Sequence, residues 1–202
     1  MLTIALPKGR IADETLDRFE KAFGEKFVFE DRKLILEKSG FKFLNVRNQD
    51  VPTYVMHGAA DLGVVGLDVL EEKEYDLIKL LDLKLGRCKV AFGLRAGEKL
   101  NFDKSKITIA TKHEKIAKKY FEHKAMAVEI IKLYGSIELA PLVGLCDCIV
   151  DIVETGETMK QNGLEVGPTI METTAHLIAN KNSFYAKKDL IFDLKDKLEK
   201  FL

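Results

Sequence analysis

Short apolar runs alternate along this chain with stretches in which apolar residues recur every three or four positions. The runs at 2–6, 62–65, 90–94, 107–111 and 148–153 are too short for helices and nearly continuous, the pattern of strands covered on both faces. Residues 41–46 predict another strand, and 27–29, 34–36, 77–81 and 128–131 predict shorter extended pieces. Helical spacing follows the first strand, where Ile11, Leu16, Phe19 and Phe23 form one face, and returns at 67–73, 114–123 and 138–144. Asp50 reads as the cap of a further helix with Pro52 in its first turn and Gly58 at its end. Residues 164–179 predict one long strand, long enough to leave one domain and enter another. From Asn182 onward the pattern is helical, with Leu190, Leu194, Leu198 and Leu202 spaced by four.

Strands alternating with helices predict an α/β fold, a layered sheet with helices on both faces. The chain contains no internal repeat, linker or low-complexity tract. Two lobes would therefore be joined by crossing strands, with a cleft between them, and open α/β folds hold ligands at strand ends. The expected division is 1–88 for the first segment of lobe I, 89–169 for lobe II, and 170–202 for a return strand and C-terminal helix of lobe I.

Charge narrows the partners. The 202 residues include 32 Lys plus Arg and 32 Asp plus Glu, so the formal net charge is zero. This argues against a nucleic-acid coat or an acidic-lipid binder, although a local basic cleft remains compatible with it. No run approaches the roughly 18 apolar residues of a membrane helix. The N-terminus reaches its first strand without the apolar segment of a signal peptide, so a cytoplasmic setting is expected. Cys88, Cys146 and Cys148 cannot all pair internally, which fits a reducing compartment. In a strand, Cys146 and Cys148 would share a face. With no histidine nearby in sequence, they read as small buried side chains rather than metal ligands.

The densest candidate chemistry is Cys148-Ile149-Val150-Asp151-Ile152-Val153-Glu154-Thr155-Gly156-Glu157-Thr158, where a buried strand enters a polar loop and then a short helix ending at Gly163. Turn N–H groups and threonine hydroxyls make an anion cradle. Carboxylates beside such a cradle suit a ligand that also carries hydroxyls or a divalent metal, as a sugar phosphate with Mg²⁺ does. Asp151 and Glu154 fit ribose hydroxyls or their metal, and Thr155, Gly156 and Thr158 fit a 5-phosphate. The ordinary alternative is a strand-to-helix turn capped by Thr155, with Glu157 complementing the helix dipole.

Other candidates are less specific. Lys8, Gly9 and Arg10 follow the first strand and could hold phosphate oxygens, or form a solvated turn. Arg32 and Arg47 stand beside extended segments and could reach one polyanion, or lie on the surface. Gly63 and Gly66, near Asp68, imply close backbone approach by a ligand or a packed helix. Their spacing is not a dinucleotide fingerprint, and no Walker lysine is present. Arg87-Cys88-Lys89 lies at the lobe boundary. Cys88 lacks an evident activating partner and reads as a structural or cleft-lining thiol. His57, His113 and His123 read as helix-surface or helix-end residues, and His176 lies inside the long strand.

The stretch from Glu138 through Asp151-Ile-Val-Glu-Thr-Gly-Glu-Thr158 to Leu164 closely resembles the signature of the ATP phosphoribosyltransferase family. Leu6-Pro7-Lys8-Gly9-Arg10, Asp31-Arg32, the segment from Asp50 through Gly63 to Gly66, and Gly86-Arg87-Cys88 resemble it in the same order. Two departures are small: cysteines at 146 and 148 where the family usually has alanine, and Asn48 where proline is common. The resemblance implies two lobes like type II periplasmic binding proteins, with the active site in the interlobe cleft. It implies the first step of histidine biosynthesis, in which ATP N1 joins C1 of 5-phosphoribosyl 1-diphosphate and diphosphate leaves. Lys8, Arg32, Arg47 and Asp151 are the implied catalytic residues. Gly9, Arg10, Gly66, Asp68, Arg87, Glu154, Thr155, Gly156, Glu157 and Thr158 are the implied substrate-binding residues. Mg²⁺ is expected mainly on the substrate diphosphate. Ending at Leu202, the chain resembles the short form, which implies a catalytic homodimer working with a regulatory subunit similar to histidyl-tRNA synthetase in a hetero-octamer. A non-catalytic bilobal receptor or a nucleobase-salvage phosphoribosyltransferase would fit less well. The first needs no phosphate loop. The second places two adjacent acidic residues before its loop, where Asp151 and Glu154 are separated.

Overall fold

The computed structural model describes all 202 residues. In chain order the elements are β1 (Leu2–Pro7), α1 (Arg10–Phe23), β2 (Ile35–Lys38), β3 (Phe41–Val46), a 3-10 turn (Asn48–Asp50), α2 (Val51–Met56), β4 (Leu62–Gly66), α3 (Leu67–Lys73) and β5 (Ile78–Arg95). There follow β6 (Ile107–Thr111), α4 (Glu114–His123), β7 (Val128–Lys132), α5 (Leu139–Leu142), β8 (Cys148–Val153), α6 (Glu157–Gln161), β9 (Leu164–Ala179), α7 (Lys181–Ala186) and α8 (Lys188–Glu199). These residues divide into two compact units, Met1–Arg87 with Thr174–Leu202, and Cys88–Thr173. The divisions fall at 87/88 and 173/174, against the 88/89 and 169/170 expected from sequence. β5 and β9 each carry the chain from one unit into the other.

In the first unit the strand order is β2-β3-β1-β4-β9. β1 runs parallel to β3 and β4, while β2 runs antiparallel to β3 and β9 antiparallel to β4. Alternation along the strands sends Ile4, Leu6, Leu62, Val64 and Leu177 to one face, under α1 and α8, and Ala5, Val65 and Ile178 to the other, under α2 and α3. Gly63 answers to that second layer. A β-carbon there would come within 2.8 Å of Val51 and Val55, so the glycine admits α2, not a ligand. In the second unit the order is β5-β8-β6-β7, with β8 parallel to β6 and antiparallel to β5. Phe92, Ile109 and Val150 pack under α4, while Ala91, Ala110, Ile149 and Val153 face α5 and α6.

Several elements differ from expectation for identifiable reasons. Segments 78–81 and 90–94 are parts of one strand, β5, which leaves out Leu77 and whose apolar pattern is interrupted by Asp82, Lys84, Arg87 and Lys89. Residues 27–29 are not a strand; Phe27 instead joins an edge-to-face aromatic cluster with Phe19, Phe41 and Phe43. Asp50 makes no capping hydrogen bond, because the 3-10 turn holds it in helical conformation. Only Leu139–Leu142 of the expected helix at 138–144 is helical. The C-terminal helix is two helices, broken at Lys187, and the first is capped by Asn180, whose Oδ1 accepts from Ser183 N at 3.0 Å. Leu194 and Leu198 are buried but Leu190 and Leu202 are 53% and 47% exposed; Ile191 takes the inward place. A spacing of four drifts by roughly 40° per step around a helix of 3.6 residues per turn, so four such leucines cannot share one face. Cys146 and Cys148 also part company. β8 begins only at Cys148, which packs under α4, while Cys146 precedes the strand and packs in the opposite layer.

Candidate functional site

In the first unit the parallel strands deliver several candidate residues to one sheet edge. β1, β3 and β4 all end there, so Lys8 and Arg47 follow the carboxyl ends of β1 and β3 beside Gly66, the last residue of β4, and Lys8 N donates to Val46 O at 2.8 Å. Arg32 reaches the same edge by a different route. β2 is antiparallel to β3, and Asn45 N donates to Leu34 O at 2.8 Å, so the turn preceding β2 lies beside the end of β3. Lys8, Arg32 and Arg47 are exposed and have no ion-pair or side-chain hydrogen-bond partner, whereas lysines elsewhere pair with carboxylates, as Lys42 with Glu37 and Lys106 with Glu129. Arg10 lies in the first turn of α1, 3.6 Å from Glu14, and Gly9 takes the N-cap position. Gly86 N donates to Glu14 Oε2, which brings the exposed Arg87 beside the start of α1.

Gly66 and Asp68 act on each other. Asp68 is buried, and its Oδ1 lies 2.2 Å from where a β-carbon on Gly66 would stand. The glycine therefore makes room for a carboxylate folded back over the start of α3, where the helix dipole favours negative charge.

The second unit holds the loop. A cavity of about 350 Å³ is lined by Asp151, Glu154, Thr155, Gly156 and Thr158, together with Cys88, Glu138 and Met159. That volume is in the range that encloses small ligands. Asp151 is the one polar residue between Ile149 and Val153 on the inner face of β8. Gly156 has φ +82°, and a β-carbon there would lie 2.8 Å from Val166, so both conformation and space require glycine at this turn. The cap of α6 is Gly156 rather than Thr155; the Thr155 hydroxyl accepts from Glu157 N at 3.3 Å. Glu157 does not line the cavity, and its carboxylate accepts from Gln161 Nε2 along the helix.

Three neighbours had no evident signal in the sequence. Glu138 enters the lining from the turn before α5. Lys112 and His113 follow β6, and the parallel register Thr111↔Val150 sets them beside Asp151. Lys112 Nζ is 3.1 Å and His113 Nε2 3.8 Å from Asp151 Oδ1. His113 was expected on a helix surface or end. It does cap α4, but it is buried. Cys88 is a cavity-lining thiol, whereas burial raises the Cys146 thiol and pushes that of Cys148 to about 12, which makes both inert. No group of three or more His, Cys, Asp or Glu side chains could hold a metal ion by itself. No helix is long and apolar enough to cross a membrane.

Two α/β units joined by two crossing strands, one with a hydroxyl-rich turn at a cavity, define a two-lobed α/β fold of the periplasmic-binding-protein type. Solved structures share that architecture. The glutamate-bound GluR0 ligand-binding core from Nostoc punctiforme matches with a TM-score of 0.61 at 14% identity, covering 99% of this chain and 92% of that one. A substrate-binding protein of an amino acid ABC transporter matches with 0.62 at 12%, covering 98% and 91%. At such identities the likeness concerns the fold alone. The chain belongs to the HisG family, ATP phosphoribosyltransferase, whose model matches residues 47–200. ATP phosphoribosyltransferase of Wolinella succinogenes is 67% identical over 200 residues, 99% of this chain and 97% of the relative. That of Nitratiruptor sp. is 63% identical over 202 residues, covering 100% and 98%. The ATP phosphoribosyl transferase (HisG:HisZ) complex from Thermotoga maritima contains a chain with a TM-score of 0.82 at 36% identity, covering 99% and 98%.

Proposed function

We propose that this protein binds 5-phosphoribosyl 1-diphosphate at the loop of its second unit and transfers the phosphoribosyl group to N1 of ATP, releasing diphosphate. The observation that carries the assignment is the 350 Å³ cavity, in which three carboxylates, two threonines and an obligatory glycine converge in a chain of this family. Thr155, Gly156 and Thr158 hold the 5-phosphate through hydroxyl and backbone donors. Asp151 and Glu154 accept hydrogen bonds from the ribose hydroxyls. At C1 the bond to diphosphate loosens as adenine N1 approaches, so the centre gains oxocarbenium character. The protein's part is to align the two substrates and place negative charge near that centre. No covalent protein nucleophile is needed. Lys8, Arg10, Arg32, Arg47 and Arg87 supply positive charge for the diphosphate and the triphosphate, and the guanidinium groups of Arg32 and Arg47, which pair with no carboxylate, suit that task.

Mg²⁺ fits as an ion carried by the substrate diphosphate, because the cavity offers carboxylates from Asp151, Glu154 and Glu138 but no ready-made cage. It would supply neutralisation of the leaving group. The setting we assign is the cytoplasm. Likeness to the HisG:HisZ complex of Thermotoga maritima supports a partner subunit, and the family resemblance makes the chain a catalytic homodimer with a regulatory subunit resembling histidyl-tRNA synthetase, in a hetero-octamer. Incubating the protein with ATP, 5-phosphoribosyl 1-diphosphate and Mg²⁺, alone and with that subunit, should yield phosphoribosyl-ATP and diphosphate. Neither product in either mixture would sink the assignment.

A further inference from the structure

Asp151 sits in an unusual place for a carboxylate. Its strand neighbours Ile149 and Val153 are buried in an apolar layer, and Oδ1 is shielded from solvent without a hydrogen bond of good geometry. A carboxylate oxygen in such surroundings needs compensating charge. The nearest cation is Lys112 Nζ at 3.1 Å, a close ion pair although its alignment falls short of a hydrogen bond. Side-chain exposure is 32% for Lys112 and 20% for Asp151, so the contact is partly withdrawn from water, where charge pairs are screened less.

The turn carrying Lys112 is itself fixed. The Thr111 hydroxyl donates to Val150 O at 2.6 Å and accepts from His113 N at 2.8 Å. One buried hydroxyl thus clamps the residue before Lys112 to the residue before Asp151, and the residue after Lys112 to the same turn. His113, with a side chain only 5% exposed, has Nε2 3.8 Å from the same Oδ1. Oδ1 is turned toward Lys112 and His113, so Oδ2 remains for a ligand in the cavity that Asp151 lines.

We propose that Lys112 is a positioning residue for Asp151: held by the Thr111 clamp, it engages Oδ1 and so orients Oδ2 toward the ribose of the phosphoribosyl donor. This rests on the donor-binding role proposed above for Asp151. Removing the ammonium frees the carboxylate to rotate, so the ribose is held less well at the moment the C1 bond loosens. The effect belongs on kcat/KM for the donor, while KM for ATP stays unchanged.

The test is a double-mutant cycle on the assembled enzyme, with donor and ATP kinetics measured separately. Lys112→Met should lower kcat/KM for the donor about tenfold, within the range of coupling between contacting residues. Lys112→Arg, which keeps the cation, should restore most of it, whereas a merely structural contact would show no such rescue. In an Asp151→Asn background, Lys112→Met should add little. A full additional loss in that background would mean that Lys112 contacts substrate directly, overturning the proposal. So would wild-type kinetics for Lys112→Met beside a defective Asp151→Asn, leaving the donor site itself intact. Wild-type kinetics for Asp151→Asn would remove both this inference and the assignment of the cavity on which it rests.

Discussion

Thr155 and Thr158 contribute hydroxyls to a turn whose shape is set by a residue with no side chain. Gly156 fixes the path of the backbone, and the threonines can then serve a ligand without holding the turn together, apart from the 3.3 Å contact to Glu157 N. Thr155→Ala and Thr158→Ala should therefore each weaken binding of 5-phosphoribosyl 1-diphosphate by about 1–3 kcal/mol, the range for a hydrogen bond to a charged group. ATP binding should hardly change. Titration calorimetry with each substrate separately checks this, and equal weakening toward both would contradict the proposed division of labour. The glycine and threonines were legible in the sequence because their chemistry is local. Lys112 and His113 were not, because their relevance depends on the pairing of β6 with β8.

Packing at the level of elements turns on which face of a strand or helix is covered. In α8 the inward residues are Ile191, Leu194 and Leu198, while Leu190 is exposed. Ile191→Ala should cost about 2–5 kcal/mol of stability, and Leu190→Ala less than about 0.5 kcal/mol, as read by denaturant unfolding. β5 and β9 provide a second case within the first unit. The Thr174 hydroxyl donates to Asp82 Oδ1 at 2.8 Å, and Lys84 donates to the same carboxylate through backbone and side chain. Burial acts to raise the Asp82 pKa, but these hydrogen bonds outweigh it and bring it to about 2. His176 is shifted below its usual value by burial, which outweighs the attraction of Asp82. Both shifts have the same sign in their effect on stability, since in each case the unfolded chain binds protons more readily. The His176 contribution is present above pH ~6.5 and declines as pH falls below it. The Asp82 contribution, about 1–2 kcal/mol after allowance for solvent screening, is present above pH ~4 and is lost as pH falls toward about 2. Asp82→Asn should therefore lower stability at neutral pH and flatten the acid limb of a stability–pH curve.

Across the whole molecule, equal numbers of acidic and basic residues give no net field to attract polyanions, so local arrangement must do it. The first unit gathers exposed, unpaired Lys8, Arg32 and Arg47 at one sheet edge through two different strand pairings. Arg32→Ala and Arg47→Ala should each reduce kcat/KM at least tenfold, about 1.4 kcal/mol or more. Neither side chain holds the fold, so thermal melting should be unchanged. Steady-state kinetics beside a melt decides, and wild-type turnover in both variants would return these arginines to the general surface.

The amino-acid sequence by itself determined the features that depend on neighbours along the chain. The strands at 41–46, 107–111 and 148–153, the helices at 67–73 and 114–123, and the hydroxyl-rich turn after β8 all follow from local periodicity and turn chemistry. Its motifs also specified the family, to which residues 47–200 match. Only the tertiary structure decided what depends on partners distant in sequence. It made β5 one strand despite the four charged residues between its apolar segments, because each edge of a strand is satisfied by hydrogen bonds that the sequence does not name. It gave Gly63 to a helix and Gly66 to a carboxylate, sent two cysteines to opposite layers, and placed a lysine and a buried histidine against Asp151. Periodicity records whether a position is covered, and register records by what.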